Sequence, residues 1–214
     1  MVCARQNAPW MPSIFHYRTL GTGSYGPQSG FNIIELMVTM AIVTIMATVA
    51  IPSFMTMSRD NRLAVKYNDF LGTLNLARNE ALSRGTRVTI CKWSTGDFCN
   101  GKEWEDGWIV YVDTNRNKRV DYNERPIIRV YPALSKNEGS HKITLRGTNT
   151  AANQIVFNAQ GMLSASGSLT FCDKRGASHA RGLILSRSGQ ARIARDSDEN
   201  GIRDNNGTDL VCPS

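Results

Sequence analysis

Hydrophobic positions follow three successive rhythms along the chain. From Leu36 to Ile51 no residue is charged and none is Gly or Pro, and Phe31, Ile33, Ile34 and Phe54 lengthen this run. About 20 helical residues, each rising 1.5 Å, cross the hydrocarbon of a bilayer, so the run predicts a helix of membrane length. Beyond Ser58 the apolar residues Leu63, Tyr67, Phe70, Leu71, Leu74, Ala77, Ala81 and Leu82 recur every three or four positions. Arg59, Arg62, Lys66, Asn75 and Arg78 fall between them. That spacing predicts the helix continuing in amphipathic form, with one stripe to bury. Pro52 lacks the backbone donor that a helix interior needs and predicts a kink or local melting. Arg84-Gly85 predicts the stop.

After Gly85 the rhythm shortens. Thr86–Lys92, Trp108–Asp113, Pro126–Tyr131, Lys142–Leu145, Gln154–Phe157, Ser168–Cys172, Leu183–Ser188 and Ala191–Ala194 are short, β-branched and broken by Gly, Asn or Pro, and each predicts a strand. Short strands after one long helix predict an α+β fold: an N-terminal helix, half membrane and half amphipathic, packed against antiparallel β-sheet. The expected divisions are 1–30, 31–57 for the apolar helix, and 58–214 for a folded head.

Charge sharpens the reading of the first segment. Residues 1–30 carry Arg5, Arg18 and His16 but no Asp or Glu, and end at Gly30. A basic region, a small residue and then an apolar run look like an export signal. Here the small residue precedes the apolar run, so cutting after it removes the leader and keeps the helix. Met1 and Met11 are both candidate starts. Gly21, Gly23 and Gly26 fit a nucleotide-loop spacing, but no strand precedes them and Pro27 follows, which excludes that chemistry. Glu35 is an ionisable group inside an apolar run, where a carboxylate marks either function or a place at headgroup level. The whole chain has a net charge of +7 and 41% hydrophobic residues. That mildly basic balance permits contact with phosphates without requiring it.

Gly30-Phe31-Asn32-Ile33-Ile34-Glu35, with Pro52 late in the same run, resembles the processing site of type IV pilins and type II secretion pseudopilins. The resemblance implies a prepilin peptidase cut between Gly30 and Phe31, methylation of the Phe31 amine, and Glu35 as the assembly carboxylate. It implies that Glu35 pairs with the Phe31 amine of a neighbouring subunit. Asn32 stands where Thr is usual. Thr39, Thr44 and Thr48 are small polar residues available to neighbouring helices. Leu76-Ala-Arg-Asn-Glu-Ala81, Gly107-Trp-Ile-Val-Tyr-Val-Asp113, Ile155-Val-Phe-Asn-Ala-Gln-Gly161 and Leu183-Ile-Leu-Ser-Arg-Ser-Gly189 resemble the GspH/FimT branch of minor pilins and pseudopilins. The implied partners are other major and minor pilins or pseudopilins, the peptidase and the inner membrane. The implied location is a single-pass inner-membrane precursor with a periplasmic head, and then a pilus at the cell surface. A minor pilin supporting pilus assembly is the leading expectation. A GspH-type pseudopilin of type II secretion and a DNA-binding pilin of natural transformation are the alternatives.

Cys3 lies in the leader. The other four cysteines form an even set in a domain expected to face an oxidising compartment. Of three pairings, Cys91 with Cys99 and Cys172 with Cys212 are favoured. No Cys-x-x-Cys pair occurs, and His141 and His179 do not fall at ligand spacing. Two loops carry oxygen side chains at calcium-loop offsets. Asp113, Asn115, Asn117, Asp121 and Glu124 form the first, with Lys118 where Gly belongs. Asp196, Asp198, Asn200 and Asp204 form the second, without the bidentate Glu. No cofactor is therefore the leading expectation and calcium the alternative, since turn-forming polar loops explain both stretches without a metal. Lys174, Arg175, Arg181, Arg187, Arg192 and Arg195 are basic and late in the chain. Some FimT-type pilins that take up DNA resemble this region, with Gly-Arg-x-Arg. Here Gly189-Gln190-Ala191-Arg192 lacks the first Arg, leaving Arg187, Arg192 and Arg195 as the DNA-contacting candidates. Trp93, Trp104 and Trp108 lie near the first cysteines, either as a ligand surface or as packing for a loop. No nucleophile has a base at motif spacing, so an enzyme is not expected.

Overall fold

A computed structural model of the chain describes residues 30–96, 99–115, 117, 120, 127–134 and 142–213. The first element, α1, runs from Ile33 to Arg84. Asn32 caps it: its side-chain oxygen accepts the Ile34 amide at 3.2 Å and its carbonyl accepts the Leu36 amide at 3.1 Å. Asparagine is among the best residues at this position, since one otherwise orphaned N–H is satisfied there. The helix passes through Pro52 without interruption, which corrects the expectation of local melting. Proline removes only one ladder donor, and the Pro52 carbonyl gains the Thr56 hydroxyl at 3.1 Å. Gly85, at φ +60, ends the helix.

The strands follow as β1 (Val88–Lys92), β2 (Gly107–Val112), β3 (Ile127–Pro132), β4 (Thr144–Asn149), β5 (Gln154–Phe157), β6 (Gly167–Cys172), β7 (Arg181–Leu185) and β8 (Ala191–Ile193). They build two antiparallel sheets of four strands each, in the orders β3-β2-β1-β5 and β4-β6-β7-β8. The β4 strand starts and ends later than expected, because Thr144–Asn149 pairs in register with β6. The β7 strand is shifted earlier because Ser186–Gly189 closes a hairpin turn, with the Gly189 amide donating to the Ser186 carbonyl at 2.9 Å.

One stripe of α1 supplies the floor of the core. Leu63, Tyr67, Phe70, Leu74, Ala77 and Ala81 are buried against Val88, Ile90, Trp108 and Val110 of the first sheet. The same stripe meets Leu145, Leu169, Phe171, Leu183 and Leu185 of the second. Phe70 sits at the meeting point, with ring centroids 4.9 Å from Trp108, 5.5 Å from Trp104 and 6.0 Å from Phe171. The Trp108 indole donates to the Thr73 hydroxyl at 3.2 Å and the Trp104 indole to the Ala151 carbonyl at 2.9 Å. Both tryptophans are therefore core residues with satisfied N–H groups, not a ligand surface. On the outer face of the first sheet, Cys91, Ile109, Tyr111 and Val120 form a second cluster. The C-terminal tail covers the second sheet with Leu210 and Ile202, beside Cys172, Ala180 and Ala194.

Arg78 ties the two sheets together. Its Nε donates to the Gly161 carbonyl and its Nη2 to the Ser188 carbonyl, both at 3.2 Å. Gly161 lies in the turn after β5 and Ser188 in the turn between β7 and β8, so one helix side chain holds a turn of each sheet.

Candidate functional site

Contact density divides the chain into residues 1–48 and 49–214. In the first unit the described helix buries almost nothing. Phe31 is 82% exposed, and Ile33, Ile34, Met37, Val43, Ile45 and Met46 also face outward. Glu35 lies in the first helical turn, where the amide dipoles favour a carboxylate, and it is exposed. The Thr39, Thr44 and Thr48 hydroxyls donate to the carbonyls of Leu36, Met40 and Ile45 at 2.9, 2.8 and 2.7 Å. Each hydroxyl is satisfied inside its own helix, so these threonines need no polar partner from a neighbour. Gly30 is exposed beside Phe31, with open space around it. The rest of the expected leader, with Cys3, lies outside the described residues.

In the second unit the apolar surface continues through Ile51, Phe54, Met55 and Met57, all exposed. The helical stretch from Phe31 to Met57 hides none of its large apolar side chains, unlike the core helix of a soluble domain, and is long and apolar enough to cross a membrane.

The four described cysteines are paired as Cys91–Cys99 and Cys172–Cys212. The second bridge ties β6 to the chain end across 40 residues, and loop-closure entropy makes such a tie worth about 4 kcal/mol.

Of the first expected calcium loop, Asp113 is fully buried with Oδ2 3.8 Å from Arg87 Nη1, and Asn115 accepts the Asn117 amide at 2.9 Å. Asp121 and Glu124 lie outside the described residues. The second loop is more convergent. Carboxylate oxygens of Asp196, Asp198 and Asp204 come within 4.8 Å of one another. Asp196 accepts the Gly201 amide at 2.8 Å, and the Asn200 side-chain amide donates to both Asp198 and Asp209. Asp204 accepts from the Ser197 hydroxyl and amide, which hold its carboxyl below the usual carboxylate range.

Arg192 and Arg195 line one groove of about 570 Å³ with Ile184, Ile193, Ser197, Asp204 and Asn206. Arg187 is exposed in the β7–β8 turn and does not line that groove. The groove is thus of mixed charge, with the Asp204 carboxylate beside two guanidinium groups.

Arg175 is not part of any open basic face. Its Nη2 meets Asp173 at 2.6 Å, and its Nη1 lies 2.8 Å from Asp60 of α1, close but off the hydrogen-bonding direction. His179 Nδ1 lies 4.0 Å from the same Asp60. Sequence reasoning missed this cluster because Asp60 lies more than a hundred residues before Asp173, Arg175 and His179. Burial pushes the Asp173 carboxyl up, but hydrogen bonds and charge from Arg175 outweigh it and hold the group below its ordinary range. A depressed carboxylate stabilises the fold above its unfolded pKa, and that contribution is lost as pH falls through the folded value. Thermal unfolding followed from neutral to acid pH should therefore show the midpoint falling below about pH 4, with a shallower fall in Asp173→Asn. An identical acid limb in the variant would assign the loss to other carboxylates. Burial also pushes the Tyr67 hydroxyl up to about 12, against the opposing charges of Arg181 and Arg203.

Known proteins align with this architecture. The family described as type II transport protein GspH matches residues 67–189, more than half of the chain. The type IV minor pilin FimU of Pseudomonas aeruginosa is 19% identical, covering 62% of this chain and 88% of FimU with a TM-score of 0.46. The minor pseudopilin EpsH of the Vibrio cholerae type 2 secretion system is 11% identical, covering 62% of this chain and 95% of EpsH with a TM-score of 0.42. No curated protein matches the chain. The match runs from the buried stripe of α1 through the Arg78 clamp to Gly189, and so takes in most of both sheets. The chain belongs to the GspH family of type II transport proteins, structural subunits that associate with other pilins or pseudopilins and are not enzymes.

Proposed function

We propose that this chain is a minor pilin, made as an inner-membrane precursor and drawn into a type IV pilus through its N-terminal helix. Residues 1–30 are the leader, 31–57 the membrane and assembly helix, and 58–214 the head. The observation that carries this reading is the apolar helical surface from Phe31 to Met57, whose large apolar side chains are all exposed. Apolar surface on that scale exchanges lipid contacts for helix contacts at little cost, which suits a subunit that leaves a bilayer for a fibre. Glu35 near the helix start pairs with the Phe31 amine of the next subunit, which offsets the cost of carrying a charge into an apolar bundle.

The test is the mature terminus. Mass analysis of the membrane form should find a chain beginning at methylated Phe31. Gly30→Val, which crowds the scissile bond, should leave the precursor uncut. A natural chain beginning at any other residue overturns the reading.

A second reading, a pseudopilin of a type II secretion machine, is favoured by the description of the matched family. Both readings share the precursor chemistry and the helix. Recovery of the chain in sheared pili supports the first, and loss of protein export in its absence supports the second.

A further inference from the structure

Within residues 49–214 the surface of α1 changes character over two turns. Ile51, Phe54, Met55 and Met57 are exposed and apolar, and the buried stripe begins at Leu63. Between and just beyond these two regimes stand Arg59, Arg62 and Lys66. Spacings of three and four place these cations in one row along the helix, on the flank of the stripe that carries Leu63 and Tyr67. Asp60 falls on the opposite flank, where it meets Arg175 and His179. Asp60 is therefore turned away from the row, within which Arg62 has an interaction of its own. Asp69, one turn above Lys66, is its other acidic neighbour on the helix.

Arg59 adds a sharper observation. Its Nε is shielded from solvent and has no hydrogen-bond acceptor among the described residues. A buried guanidinium N–H without an acceptor is uncommon, because removing it from water without replacement is unfavourable.

The order of chemistries matches a bilayer surface. At 1.5 Å of rise per residue, Arg59 stands about 3 Å above Met57 and Arg62 about 7.5 Å above it. The polar layer outside the hydrocarbon is about 5–7 Å deep on each side. Lipid covering Met57 thus sets its own phosphates at Arg59 and Arg62, with Lys66 able to reach back along its flexible stem. A guanidinium fork suits a phosphate, and anionic lipids concentrate cations at their surface. Building on the membrane-anchored reading above, we propose that Arg59, Arg62 and Lys66 bind the phosphate groups of anionic phospholipid. That contact seats the base of the head on the bilayer until the subunit leaves the membrane.

The test uses the full chain, solubilised in neutral detergent and supplied with an equal mixture of phosphatidylglycerol and phosphatidylcholine. Native mass spectrometry then counts the lipids retained. The wild-type chain should keep phosphatidylglycerol over phosphatidylcholine by about tenfold at low salt, and less at high salt. Arg59→Gln/Arg62→Gln/Lys66→Gln should keep the two lipids equally. Where that triple variant fails to fold, Arg62→Gln alone, at an exposed position, should lower the preference. Equal retention by the wild type, or an unchanged preference in a folded variant, overturns the proposal. So does displacement by inorganic phosphate at matched concentration, which would make the site one for free anions. A chain that fractionates with membranes yet ignores lipid charge overturns the headgroup site alone. A chain found outside the membrane fraction would instead overturn the anchor reading.

Discussion

Gly189→Val should unfold the head. Gly189 has φ +78, and a Cβ built there would lie 1.9 Å from the Gly161 carbonyl oxygen and 3.1 Å from Arg78 Nε. The first contact is with backbone and cannot be relieved by turning a side chain. Separating the two turns breaks both Arg78 hydrogen bonds, which join the turn after β5 to the turn after β7. Left-handed backbone costs a branched residue about 1–2 kcal/mol, and forced overpacking about 1–3 kcal/mol more. With two guanidinium hydrogen bonds lost as well, the sum reaches about 5 kcal/mol, comparable to the whole stability of many domains. The control is Gly176→Val, where φ is +84 but nothing lies within 4 Å. Gly176 also has ψ −162, a backbone region essentially restricted to glycine, so that variant should lose only the backbone term, about 1–3 kcal/mol. Thermal unfolding of the two variants beside wild type decides the matter. Equal losses would mean that backbone conformation alone makes Gly189 necessary and that the clamp contributes nothing.

Glu35→Ala should be processed normally yet fall about a hundredfold in assembled fibres. The variant leaves the helix intact, because Asn32 and not Glu35 caps it. It removes the only carboxylate on the described helix before Asp60. Within the proposed fibre, the methylated amine of Phe31 is then a cation among apolar helices without a partner. Breaking a buried pair by deleting one member costs about 3–5 kcal/mol, or about two to nearly four orders of magnitude in an association constant. Comparing the variant's levels in membranes and in sheared fibres measures this. Normal recovery in fibres would show that the apolar surface alone drives assembly.

The long helix and its stop were legible because periodicity is local. Apolar residues from Leu63 to Ala81 at three- and four-residue spacing mark a stripe whatever later covers it, and the structure buries that stripe. All eight described strands were legible for the same reason. Their grouping was not: each short β-branched run reads alike in one sheet or in two, since a pairing partner is not written in the strand itself. Pro52 misled in the other direction. Proline's local cost is real, but one missing donor in a helix of 52 residues is outweighed by the ladder on either side. Arg175 read as one of several late basic residues, and only the fold shows that Asp60 and Asp173 hold it. Arg192 and Arg195 read alike with Arg187, yet the groove gathers only two of the three and adds the Asp204 carboxylate to its lining.

The sequence by itself determined that this chain carries a membrane-length apolar helix, continued as an amphipathic one and followed by a β-rich head, because hydropathy and spacing act over a few residues. Tertiary structure alone decided which charges are neutralised, which tryptophans form the core, and that Arg78 locks Gly161 to Ser188. Those outcomes depend on residues distant in the chain meeting at hydrogen-bonding distance, and no local pattern encodes such a meeting.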